Sequence, residues 1–138
     1  MMSGYLCELA QYNELNLMKE IIKKETDLNC NISSSESGRR TVLNVAFVEF
    51  GGGFFVQEFP NNCSWIVVTE IGGSYTEQKI KITECIAKKL KYANVFLSFP
   101  LEWDVCRKTV ESLGYKMIHS NINLHSQHEV GLFIKEIK

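Results

Sequence analysis

The sequence predicts an α+β fold, a mixed central sheet entered through an antiparallel meander, with helices packed on its faces. Three observations predict it. Residues 41–50 and 54–56 are rich in β-branched and aromatic side chains and flank Gly51-Gly52-Gly53, a hairpin pattern because glycine reaches the positive φ angles of a tight turn. Residues 76–91 and 102–113 carry apolar side chains at helical spacing. The strand-like runs 64–71 and 94–99 have a helix between them, so they can lie parallel through a right-handed crossover.

Each element follows from local chemistry. In residues 13–24, Leu17, Met18, Ile21 and Ile22 share a face opposite Lys19, Glu20, Lys23 and Lys24, and Asn13 is placed to cap the helix. Residues 27–40 are polar, rich in Ser and Asn, and carry Gly38, which predicts a long loop. The meander then runs through the glycine hairpin, ends its second strand at Pro60-Asn61-Asn62, and adds 64–71 as a third strand. The helix at 76–91 repeats Ile82, Ile86 and Leu90 at four-residue spacing with Cys85 alongside. Ser74 and Glu77 fit a capping box at its start. The helix at 102–113 lines up Cys106, Val110 and Leu113, and Gly114 suits the position after its end. Two strands, 115–120 and 129–138, close the order α, β, β, β, α, β, α, β, β.

Composition bounds the function. A chain of 138 residues with 45% apolar and 22% charged content reads as one domain over 1–138 with a core of its own. A net charge of -1 gives no electrostatic footprint for nucleic acid or an anionic membrane. Five scattered cysteines without a CxxC pair fit neither a disulfide framework nor a zinc ribbon and predict a reducing, cytoplasmic setting. No signal peptide and no membrane-length apolar run is visible. His125 and His128 form an HxxH spacing near His119, in a segment that reads as a solvated loop, so no metal site is expected. Cys106 lies on a core stripe with nothing to bring a histidine to it, so it is no nucleophile.

The block from Cys63 to Ile118 reads strand, glycine turn, helix, strand, helix, glycine, strand. This order resembles the acetyl-CoA-binding core of the GNAT acetyltransferases, and the resemblance extends over almost the whole chain apart from an initial strand. In that family the cofactor pyrophosphate rests on backbone amides at the start of the long helix, where glycines admit it and the helix N-terminus favours its charge. The resemblance implies Ile71, Gly72, Gly73 and Lys79 as the acetyl-CoA-binding positions. The glycines here are adjacent and early, and Glu77 puts a negative charge beside them. In GNAT enzymes a Tyr on the later helix can protonate the leaving thiolate. Aligned on Leu113-Gly114-Tyr115, the family's Asn, Ala and Tyr positions read Trp103, Cys106 and Val110, and valine has no proton to give.

A scaffold without these parts fits a non-catalytic binder. Glu70-Ile71-Gly72-Gly73, the helix ending in Leu90, the run Asn94-Val95-Phe96-Leu97-Ser98-Phe99 and the end Leu113-Gly114-Tyr115-Lys116-Met117-Ile118 resemble the ornithine decarboxylase antizymes over about residues 65–118. That resemblance implies an inhibitor that sequesters a decarboxylase monomer and directs it to the proteasome. It differs in charge, because antizymes meet a basic partner with an acidic helix face and residues 79–91 here are net basic. The expected function is therefore an antizyme-like protein-binding inhibitor or regulator with no catalytic residues and no cofactor. Partner contacts are expected from Tyr75, Glu77, Glu84, Lys88, Trp103 and Ile118. The alternatives are a toxin-neutralising immunity protein, in the same binding class, and a divergent acetyl-CoA-dependent N-acetyltransferase.

Overall fold

The computed structural model describes residues 14–37, 40–49, 51–58, 65–68, 71–72 and 74–137. In chain order these form α1 (Leu15–Thr26), β1 (Cys30–Ser37), β2 (Arg40–Phe47), β3 (Gly53–Glu58), β4 (Trp65–Val68), α2 (Thr76–Leu90), β5 (Asn94–Pro100), α3 (Asp104–Ser112), β6 (Lys116–Ile122) and β7 (Glu129–Glu136). The strands make one seven-stranded mixed sheet in the order β1-β2-β3-β4-β5-β7-β6. The α+β expectation and its antiparallel meander are both realised.

The meander has one more strand than expected. Residues 27–40 are not a long loop: β1 pairs antiparallel with β2 from Cys30↔Phe47 to Ser37↔Arg40. The physical reason is its place at the sheet edge. Pairing needs only backbone groups, Cys30 turns inward and is buried, and Asn31, Ser33 and Ser35 face solvent, so a polar composition costs the strand little. The glycine hairpin forms as expected, with Gly51 and Gly52 at φ 74° and 72° and β2 paired to β3. The turn assigned to Pro60-Asn61-Asn62 lies outside the described residues, as do Ser64, Thr69 and Glu70 of the third strand.

β4 and β5 run parallel, from Trp65↔Asn94 to Val68↔Leu97, and α2 is the crossover between them. α2 buries Ile82, Cys85 and Ile86 as predicted. Its buried face also takes in Lys79, Ile80, Thr83 and Ala87. α3 buries Cys106 and Val110, and Gly114 follows it at φ 96°. Phe99 stacks on Phe133, with ring centroids 4.8 Å apart, which ties β5 to β7. β6 is the far edge strand, with a register shift between Met117 and His119.

Two capping expectations fail. Ser74 and Glu77 do not form a capping box, because Tyr75 occupies the N-cap of α2 in the left-handed conformation (φ 65°) and makes no side-chain cap bond. Ser74 therefore stands one residue too far from the helix. For α1 the N-cap is Glu14, also without a side-chain bond, and Asn13 lies outside the described residues. On that helix Met18 and Ile22 are buried while Leu17 is exposed.

Candidate functional site

In sheets of this kind ligands bind beyond the carboxyl ends of parallel strands, where the connections diverge. Here that place is the end of β4 and β5. The described pairing between them runs as far as Val68↔Leu97, and β5 continues through Ser98, Phe99 and Pro100 alongside β7. α2 begins at Thr76 and α3 at Asp104, so two helix starts face the same region.

The residues there are turned against one another. Trp103 is the N-cap of α3, held by its own N–H donating to the Pro100 carbonyl at 3.1 Å and its carbonyl accepting from the Arg107 N–H at 2.9 Å. Its ring lies on the backbone of Gly72, so closely that a Cβ at Gly72 would sit 2.1 Å from Cζ3. Glycine at this position is what admits the indole. The cleft left between the helix starts is lined by Thr76, Trp103, Asp104, Val105 and Cys106 and encloses about 240 Å³. Ligand pockets typically enclose about 300–1,000 Å³.

The turn presents carbonyls to the helix start. The Thr76 hydroxyl donates to the Ile71 carbonyl at 3.0 Å, and the Lys79 ammonium, 8% exposed, donates to the Gly72 carbonyl at 2.9 Å. A pyrophosphate needs amide donors and a cation here. The cation is engaged by a carbonyl, and Glu77 stands on the first turn, exposed, 3.9 Å from Lys81. Ile71, Gly72 and Lys79 are thus brought together, as the acetyl-CoA expectation requires, with the Lys79 ammonium bonded to a carbonyl and the Trp103 ring on Gly72. Gly73 lies outside the described residues.

The other expected contacts are dispersed. Tyr75 is half-exposed and leans toward Phe47, with ring centroids 5.9 Å apart. Glu84 is drawn inward, accepting from the Tyr115 hydroxyl at 2.7 Å and from the Lys135 ammonium at 3.2 Å. Burial and the Glu84 charge push the Tyr115 hydroxyl far above its ordinary range. Lys88 is exposed one turn further along α2. Ile118 is exposed on β6, an edge strand of the sheet. This Tyr115–Glu84–Lys135 cluster carries no sequence signal, since its members are 31 and 51 residues apart.

Among the described residues the thiols and histidines are not gathered into one cluster. Burial pushes the Cys106 thiol up to about 11 against the opposing charge of Lys79. Burial and a bond to the Glu25 carboxylate push Cys85 up to about 12. His128 pairs with Glu102, and His119 and His125 are exposed. Among the described residues no three His, Cys, Asp or Glu side chains cluster as metal ligands, and no helix is long and apolar enough to cross a membrane.

No protein-family model matches the chain, and no curated protein matches it in sequence. Solved structures do match in shape. A probable acetyltransferase from Staphylococcus epidermidis superposes with a TM-score of 0.58 at 8% identity over 97% of this chain and 92% of its own. A probable GNAT-family acetyltransferase from Chromobacterium violaceum gives 0.52 at 8% identity over 70% of this chain, which spans only 58% of that protein. The protein yncA from Salmonella typhimurium, solved with its cofactor acetyl-CoA, gives 0.51 at 8% identity, covering 96% of this chain and 73% of its own. The chain therefore has the GNAT fold. These neighbours are of the acetyltransferase class and lend no support to the antizyme family.

Proposed function

We propose that this chain uses the GNAT fold as a non-catalytic protein-binding regulator. The observation that carries this reading is the Trp103 indole lying on Gly72, where a cofactor-binding GNAT protein needs open backbone. Val110 at the proton-donor position and the engaged Lys79 point the same way. The partner is another protein, a decarboxylase if the antizyme resemblance holds and a toxin if the chain is an immunity protein. A cytoplasmic setting suits the free, buried thiols of Cys30, Cys85 and Cys106.

The second reading is a divergent acetyl-CoA-dependent N-acetyltransferase, and the class of the structural neighbours favours it over an antizyme-like regulator. It requires the Trp103 ring to leave the turn. Calorimetric titration of acetyl-CoA into the wild-type chain and into Trp103→Ala separates the two. We expect no saturable heat from the wild type and no thermal shift at millimolar cofactor. Ligand at a hundredfold excess over its dissociation constant would stabilise the fold by about 2.7 kcal/mol, and such a shift in the wild type would overturn the regulator reading. Binding by Trp103→Ala alone would identify the indole as the plug of a cleft that retains its shape.

A further inference from the structure

The solvent face of α2 is a stripe of Glu77, Lys81, Glu84, Lys88 and Lys91, at the spacing of successive turns, with Lys89 flanking it. Its charges are unequally balanced. Glu77 stands beside Lys81. Glu84 is bound by Tyr115 and Lys135 and is turned away from its own helix's lysines. Lys88, Lys89 and Lys91 are exposed, and none makes an ion pair among the described residues. The nearby Glu25 accepts the Cys85 thiol's bond at 3.1 Å.

Cations at a helix C-terminus offset the macrodipole, but α1 shows that this role needs no bare cluster. α1 also carries two lysines in its last turn, Lys23 and Lys24, and its left-handed C-cap is Asp27, which binds Lys23 at 3.0 Å. The equivalent left-handed C-cap of α2 is a third lysine, Lys91. The left-handed C-cap is acidic and paired with a lysine on one helix and is itself a lysine on the other.

We infer that the C-terminal half of α2 is a docking surface for a carboxylate-rich segment of a partner protein. The inference rests on the protein-binding reading above. Charge complementarity selects the partner's sign and speeds its approach. A chain of net charge -1 lacks the broad positive field that nucleic acids reward, so a local acidic protein surface is the fitting occupant.

The test uses fluorescence anisotropy with a labelled twelve-residue oligoglutamate peptide and, separately, a labelled single-stranded oligonucleotide of similar charge. We expect the peptide to bind the wild type, more weakly as salt rises, and about tenfold more weakly to Lys88→Gln/Lys89→Gln/Lys91→Gln, since each exposed ion pair contributes modestly and the variant removes three. The control Lys108→Gln/Lys116→Gln should bind as the wild type does. Circular dichroism checks that the triple variant keeps its fold. No peptide binding, equal binding by the triple variant, or preference for the oligonucleotide overturns the inference. Acetyl-CoA titrated in the same buffer distinguishes failure of this surface from failure of the regulator reading.

Discussion

The two ends of α2 are opposites. At the N-terminal end, partial positive charge on the helix amides would ordinarily invite an anion, yet Trp103 covers Gly72, and Thr76 and Lys79 are bonded to the carbonyls of the same turn. At the C-terminal end Lys88, Lys89 and Lys91 are exposed and make no ion pair among the described residues. One end is bonded within its own turn and the other presents charges that make no ion pair among the described residues. The difference teaches that a shared fold does not carry its ligand site with it. On the regulator reading proposed above, one indole closes the region where the topology would place a cofactor.

The largest expected effect comes from breaking the closed end. Gly72→Ala puts a methyl 2.1 Å from Trp103 Cζ3, so the ring or the turn must move. We expect a loss of about 2 kcal/mol in urea unfolding. A neutral result would mean the indole is not seated there. Next is Glu84→Ala, which strands the Tyr115 hydroxyl and Lys135. Half-buried bonds to a carboxylate should cost about 1–2 kcal/mol, read by the same melts. Wild-type stability here would show that Glu84 is free to join the outer stripe.

A pH series sharpens the contrast between buried and exposed groups. Cys85 and Cys106 have folded pKa values raised to about 12 and about 11 from 9.0. A raised thiol pKa means the unfolded chain ionises first. Their contribution is therefore intact below about pH 9 and is lost as pH climbs toward 11 and 12. The melting temperature should be level with respect to these groups up to pH 9 and fall above it, with the fall reduced in Cys85→Ala. The smallest effect belongs to the open end. Lys89→Gln should change stability by less than about 0.5 kcal/mol, in contrast to Gly72→Ala and Glu84→Ala. A larger loss would mean that Lys89 has a structural partner.

The sequence by itself determined the elements whose signal is local. The glycine hairpin at Gly51-Gly52, the core stripe of Ile82, Cys85 and Ile86, and the turn at Gly114 each rest on φ preference or periodicity within a few residues. The parallel pairing of β4 with β5 followed from the helix between them. β1 was not legible, because an edge strand with one solvated face can be built from Ser and Asn, and its pairing is decided by β2. The capping box expected from Ser74 and Glu77 does not form, because one left-handed residue, Tyr75, shifts the helix start past Ser74. Only the tertiary structure decided the site. Gly72 and Trp103 are 31 positions apart by number, and whether a glycine awaits a phosphate or an indole depends on what packs against it. Likewise Glu84 and Lys88 read alike along the helix, and contacts from β7 and Tyr115 turn one inward and leave the other to solvent. Periodicity reports which face a residue occupies, while long-range contacts settle which of its charges remain available.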